Sequence, residues 1–273
     1  MKIAVVGHVE HVALGRVAAV PRAGEIAHVQ DQRLFPGGGG GIAFYQLTRS
    51  PAQVLLFTAL GNDEAARQVE GWLAKSGASI HAARRHSPQT RDVVMISPDG
   101  ERTIIVLGEP LHPLRSDALP WEELASCDAA YFTAQDPLAL QAAREARVLI
   151  VTARRQEALR KSRVRADVVV GSASDPRESC ALSDFEVPPA ALVLTEGKRG
   201  GRIETAAGSE RFEAAAVAGA AGGAYGAGDS FAGALVYFLA AGLPVAKACA
   251  RASEYGAAVL GGLEPLSVQK VLP

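Results

Sequence analysis

The 273 residues carry 28 Lys plus Arg against 29 Asp plus Glu, a formal net charge of −1, and 48% apolar side chains. That balance gives no electrostatic case for a nucleic-acid or anionic-membrane partner, while the apolar share suffices for a buried core in one large α/β domain or two small ones. Cys127, Cys180 and Cys249 are odd in number and far apart, which fits a reducing compartment, with the cytoplasm as the default, better than a disulfide framework.

The chain opens with MKIAVVG, one Lys and then a short β-like run without the longer apolar stretch of a signal peptide. Further runs of strand character at 54–58, 129–133, 147–151, 167–170 and 191–195 alternate with Ala-, Glu- and Arg-rich helical stretches at 63–76, 137–146 and 155–162. Such alternation predicts a mostly parallel sheet covered by helices, with ligands bound beyond the carboxyl ends of its strands. Two segments depart from it. In RDVVMISPDGERTIIVL (91–107), Asp99-Gly100 separates two alternating strands, a hairpin signal, and residues 9–35 read as extended pieces turned at Pro21 and Gly24. Together they predict a small antiparallel sheet that could act as a lid over the strand ends. Its exposed hairpin edge would suit pairing between two copies.

Near the N-terminus, His8, Glu10 and His11 stand close together. Zinc binding is one reading, but on a strand His8 and Glu10 share one face while His11 points away. Hydrogen bonding by Glu10 or His11 to substrate hydroxyls, or a solvated strand end, are the alternatives. The glycines at 37–41 then precede a plausible helix, IAFYQLTR, and could bring bare amides to a ligand at a helix N-terminus, or serve only as a hinge. Gln135 and Asp136 follow the run AAYFTA as candidates for polar ligand contacts, or as an ordinary loop before Pro137. Arg154 and Arg155 could meet an anionic group on a substrate, or form a solvated helix face laced with Glu157. Trp72 and Trp121 read as core or boundary residues. The longest apolar stretch, from Phe231 toward Val245, is broken by Pro244 and falls short of the roughly 18 residues of a membrane span.

GAYGAGDSFA (223–232) raises the sharpest question, because Gly226 and Gly228 permit a tight turn whose amides converge while Asp229 enters the first turn of a helix. A carboxylate beside an anion hole suits phosphoryl transfer to an alcohol, which needs a base for the hydroxyl proton and donors for charge on the transferred group. The bland reading makes Asp229 a partner of the helix dipole only.

GAGDSFAGAL resembles the C-terminal signature of the PfkB or ribokinase family of carbohydrate kinases, and other features follow in the family's order along nearly the whole chain. PGGGGGIA (36–43) looks like its Gly-Gly substrate motif, and LVLTEGKRGG (192–201) like its nucleotide-binding T-x-G-x-x-G stretch. The resemblance implies a single ribokinase-like α/β domain over 1–273, with a lid from about 9–35 and 91–107. It implies an ATP- and Mg2+-dependent kinase, a phosphotransferase acting on a hydroxyl of a sugar or related small polyol. Asp229 would be the base and the amides of Gly226, Ala227 and Gly228 the anion hole. Glu10, Gly37, Gly38, Gly39 and Gln135 would meet the acceptor, and Thr195, Gly197 and Gly200 the nucleotide. The family's Asn-x-x-Glu motif would fall on Ser172, toward the nucleotide, and Asp175, which could reach a metal through water. Several positions depart from the pattern. Gly223 and Ala224 replace the Asp-Thr pair often used for a monovalent cation, which puts potassium activation in doubt; Gly41 stands where an Asn usually helps hold the sugar; and the N-terminal sugar-binding Asp is missing near Glu10 and His11. A nucleoside acceptor and a non-catalytic ligand-binding protein are the alternatives, the former short of aromatics beyond Phe35, Phe44 and Tyr45.

Overall fold

The computed structural model describes residues 1–217 and 222–273. Its first strand, β1 (Lys2–Val6), buries both faces: Ile3 and Val5 enter a layer with Phe44, Leu56 and Leu235, whereas Ala4 and Val6 enter the opposite layer with Phe57, Leu140 and Leu159. A strand covered on both sides has no polar face to show, which is why KIAVV reads as an uninterrupted apolar run.

The chain continues through β2 (Glu10–Arg16), β3 (Gln30–Gly37), α1 (Gly38–Thr48), β4 (Gln53–Leu60), α2 (Glu64–Ala74), β5 (Ser79–Arg84), β6 (Arg91–Ile96) and β7 (Arg102–Leu107). Next come β8 (Ala129–Phe132), α3 (Pro137–Ala143), β9 (Val148–Thr152), α4 (Gln156–Ser162), β10 (Val168–Ser172), β11 (Ala191–Thr195), β12 (Gly201–Thr205) and β13 (Gly208–Phe212). Helices α5 (Ala227–Ala240), α6 (Val245–Val259) and α7 (Pro265–Val268) close the fold. Among the described residues the main sheet runs β13-β12-β11-β10-β9-β8-β1-β4-β5. It is parallel from β5 to β11 and antiparallel only at the β12–β13 end. Helices α1, α2, α5 and α6 cover one face, and α3 and α4 the other.

Because β1 leads on to β4 and β5 at one flank while β8 to β11 build the other, the order reverses between β1 and β8. A crevice at such a reversal, beyond the strand ends, is where an open α/β sheet holds ligands.

The second sheet, β3-β2-β6-β7, stands apart. Both expected hairpin pairings are antiparallel, and Gly100 takes the positive φ of 84° in the turn between β6 and β7. The two halves join by a parallel β2–β6 pairing, a difference from the all-antiparallel expectation. It arises because residues 17–90, which pass through β4 and β5 of the main sheet, separate β2 from β6, so no tight turn dictates their relative direction. One face packs Val12, Leu14, Phe35, Val94 and Ile96 with Tyr225 against Ile42 of α1; Leu34 and Ile104 to Leu107 remain exposed.

All three cysteines are free and buried. Trp121 is core, stacked on Phe57, and Trp72 lies at the boundary beside His11. Among the described residues no helix is long and apolar enough to cross a membrane.

Candidate active site

The glycine run is not a loop ahead of a helix: α1 begins at Gly38, so four of the five glycines form its first turn. Close backbone approach explains why so poor a helix former is used there. A Cβ on Gly40 would lie 2.5 Å from the His8 carbonyl oxygen, and one on Gly7 would lie 2.9 Å from Thr133 Oγ1 and 3.2 Å from the Gly40 Cα. The exit of β1 and the first turn of α1 therefore touch through bare backbone.

That contact organises a buried polar cluster. Gly39 donates its amide to His8 Nε2 at 3.3 Å, His8 Nδ1 lies 3.2 Å from Thr133 Oγ1, and Gly38 donates to Tyr225 Oη at 3.3 Å. Burial first, then the charges of His112, Arg155 and Arg154, hold the His8 pKa well below the usual imidazole value, so the ring stays neutral. Glu10, the first residue of β2, turns toward His8 and is buried; a Cβ on Gly38 would meet its Oε2 at 2.9 Å. Burial and then the adjacent Asp92 of β6 push the Glu10 carboxyl far up, which favours its protonated form; burial likewise raises Asp92. His11 does not join them: its Nε2 meets Gln68 Oε1 at 2.8 Å and its ring lies over Trp72, on the α2 side.

Asp229 is the third residue of α5, one turn beyond Gly226, whose φ of 80° and crowding by Pro265 and Ile42 admit only glycine. A Cβ on Gly39 would approach Asp229 Oδ1 to 3.1 Å, so the carboxylate sits between the first turns of α1 and α5. Two helix N-termini thus face one spot, each with amides that lack intrahelical acceptors. Burial and the nearby Glu178 raise the Asp229 pKa to about 6, against the pull of Arg154 and Arg102. Gly228 is exposed with open space around it.

Beyond β10 and β11, Ser172 donates its amide to Glu178 Oε2 at 2.9 Å, and Thr195 donates its hydroxyl to the Gly171 carbonyl at 3.3 Å. Gly197 and Gly200 take φ of 59° and 76°, and a side chain on Gly200 would collide with the Phe212 carbonyl. Just before them Glu196 is held by Arg211 at 2.8 Å and Arg202 at 3.1 Å, which with the nearby Arg199 bring its pKa to about 2. Gln135 lies in the exposed turn after β8, and Asp136 is the α3 cap, accepting from Leu138 and Ala139.

Arg154 and Arg155 are not a helix face. Both precede α4, in the turn after β9, and they diverge. Arg154 reaches toward β10, pairing with Asp175 at 2.5 Å and Glu178 at 2.6 Å. Arg155 turns toward β8, where its Nε donates to the Thr133 carbonyl at 2.7 Å. Although burial opposes it, the Arg177 amide and the Arg154 charge hold the Asp175 carboxyl below its usual range. Asp175 and Glu178 are hard oxygen donors of the kind Mg2+ accepts, but both close onto Arg154, so a metal would reach them through water. At the altered cation motif, Gly223 packs on Ile96 and the Ala224 amide donates to the Gly100 carbonyl, which brings no side-chain oxygen there.

A family model for pfkB family carbohydrate kinases matches residues 1–184 and 166–265. The chain belongs to the pfkB family. Similar solved structures include a putative ribokinase from Agrobacterium tumefaciens (21% identity, TM-score 0.82, covering 98% of this chain and 94% of that one). Ribokinase from Arabidopsis thaliana complexed with ribose and ATP (15%, 0.76, 98% and 95%) and a Burkholderia thailandensis nucleoside kinase in complex with inosine (16%, 0.76, 98% and 94%) share the fold. Among curated proteins none matches the chain.

Asp92, His112, Tyr225 and Glu178 belong to the cluster and escaped the sequence reading. One signal was present: in RDVVMI the residues alternating with the exposed face are Asp92, Val94 and Ile96, so an acid occupies a core-facing position of this pfkB-family chain.

Proposed function

We propose that this pfkB-family kinase transfers the γ-phosphoryl group of ATP to a hydroxyl of a sugar or related small polyol. The observation that carries the reading is Asp229, poised between the N-terminal turns of α1 and α5 with a pKa raised to about 6. A carboxylate there is ionised at neutral pH yet basic enough to take a hydroxyl proton as the oxygen attacks phosphorus. The amides of Gly226, Ala227 and Gly228 face the charge that develops on the transferred group. On the acceptor side Glu10, Gly37, Gly38 and Gly39 hold hydroxyls, with Gln135 at the rim. On the nucleotide side Ser172, Thr195, Gly197 and Gly200 line the phosphates and ribose. Mg2+ supplies charge neutralisation on the polyphosphate when bound, reached through water by Asp175. The β3-β2-β6-β7 sheet acts as a lid that keeps competing water from the reacting phosphorus. The acceptor end is lined by Glu10, Asp92 and His112, whereas Phe35 and Phe44 are buried in packing. That lining favours a polyol over the flat base of a nucleoside.

The test is ADP release by the purified protein with MgATP across pentoses, hexoses, sugar acids, sugar phosphates and nucleosides. No turnover on any of them, with ATP binding retained, would favour a non-catalytic ligand-binding protein. With an active acceptor, kcat should fall about tenfold per pH unit below about 6, as Asp229 gains a proton and can no longer accept one. His112, whose pKa burial and Arg155 lower to about 3, adds no limb between pH 5 and 8. A flat acid limb down to pH 5 would remove Asp229 from the base role.

The exposed Leu34, Ile104, Ile105, Val106 and Leu107 of the small sheet support pairing of two copies through the lid. Sedimentation analysis should give a dimer that Ile105→Lys converts to monomer; an unchanged mass would place any contact elsewhere.

A further inference from the structure

Arg154 and Arg155 are neighbours in sequence with opposite fates. Arg154 is satisfied by two carboxylates, Asp175 and Glu178, on the β10 side, where the nucleotide is assigned. Arg155 lies on the β8 side, and only its Nε has a hydrogen-bond acceptor among the described residues, the Thr133 carbonyl. Its two terminal nitrogens are left as an uncommitted fork in a half-buried position, open to an anion that could meet both. The charges it perturbs are those of the acceptor side: His8, His112 and Glu10. Asp229 instead feels Arg154.

Two further buried groups point into the same region without partners. His112 is 7% exposed and neither ring nitrogen has a hydrogen bond; Asp92 is 3% exposed and its Oδ1 has none, among the described residues. The His112 ring stands 5.0 Å from that of His8, edge to face. Orphaned polar atoms this deeply buried are rare unless a ligand or water meets them.

We propose that the acceptor is a polyhydroxylated anion, with Arg155 gripping its carboxylate or phosphate while Glu10, Asp92 and His112 take its hydroxyls. This rests on the kinase reading of the same cleft. A carboxylate and a phosphate would both match the fork; the two differ in the experiment below.

Binding of five- and six-carbon aldonates and of sugar phosphates to the full chain is measured by calorimetry without nucleotide, each beside its neutral sugar or alditol, and turnover is measured separately with MgATP. One anionic class should bind at least tenfold tighter than its neutral counterpart, aldonates if the group is a carboxylate and sugar phosphates if it is a phosphate. In Arg155→Gln that preference ratio should fall to about one, with Arg155→Lys intermediate because it keeps the charge and loses the fork. Arg160→Gln, on the exposed side of α4 in a pair with Glu157, should leave the ratio unchanged. Equal binding of neutral and anionic partners, a ratio unmoved in Arg155→Gln, or a loss of ATP affinity in that variant would overturn the proposal. Anion binding that depends on Arg155 without any ADP release would sustain it and sink the kinase reading instead.

Discussion

Asp229→Asn should lower kcat by about 10³-fold and, in the same protein, raise the melting temperature at pH 7. The first effect follows from removing the proton acceptor while the amides of Gly226, Ala227 and Gly228 stay in place; positioned general bases contribute on the order of 10²–10⁴. The second follows from the carboxyl's displaced pKa. Burial and Glu178 move it from 3.8 to about 6, so between those values the folded protein keeps a proton that the unfolded chain has released. Stability from this group is therefore lost as pH rises through that window, and at pH 7 the folded state bears an ionised carboxylate it would rather have neutral. Two pKa units correspond to about 3 kcal/mol, and solvent reaching the open cleft reduces this to about 1–2 kcal/mol. Asparagine removes the charge with little change of shape, giving roughly 2–6 °C at this chain length. Calorimetry from pH 7 down to pH 4 separates the causes: native Asp229 regains its proton first while the unfolded carboxyl stays ionised, so the gap should narrow to about half at pH 5 and close only as pH falls to the unfolded value of 3.8. Full turnover in the variant would dismiss the base, and a lower melting temperature would dismiss the desolvation account.

The sheet was legible wherever a strand was buried on both sides. KIAVV, LVLT and the runs between them have no polar face to confuse the pattern, and Asp99-Gly100 marks its hairpin by turn chemistry alone. The strands that escaped, β5 with SIHAAR and the β12–β13 pair with GRIET and GSERF, lie at the sheet's two ends, half covered and rich in charge. There the apolar signal fades while the backbone still pairs. Site residues divide the same way. Asp229 and the glycine runs stand out as candidates because local backbone chemistry constrains their sequence neighbourhood. Asp92, His112, Glu178 and Tyr225 are single residues brought in from distant segments, and nothing near them in sequence records what they meet. Arg154 and Arg155 were ambiguous because RRQEALRK reads as a charged helix; the helix begins only at Gln156, leaving both arginines at the sheet end.

Substituting Ala for Gly at position 40 should damage both stability and turnover, although alanine is the better helix former. Its Cβ would lie 2.5 Å from the His8 carbonyl oxygen, 3.0 Å from the His8 nitrogen and 3.1 Å from the Gly7 carbonyl carbon, all backbone atoms that cannot rotate aside. Relief requires α1 to withdraw from the end of β1 by the better part of an ångström, a change costing about 1–3 kcal/mol in a packed core. The withdrawal would also lengthen the 3.3 Å contacts from Gly39 to His8 and from Gly38 to Tyr225, which tie the proposed acceptor side to α1. A shift of this size at the reacting groups costs on the order of 100-fold in rate. Gly71, in the exposed middle of α2 with open space around it, provides the opposite case: there Ala should stabilise by about 0.5–1 kcal/mol and leave turnover alone. The two substitutions are chemically identical and differ only in what a methyl group would touch. Gly40→Ala melting at or above the native temperature with undiminished kcat would show that α1 and β1 have slack between them, and the close backbone contact could then not be what positions Gly39 against Asp229.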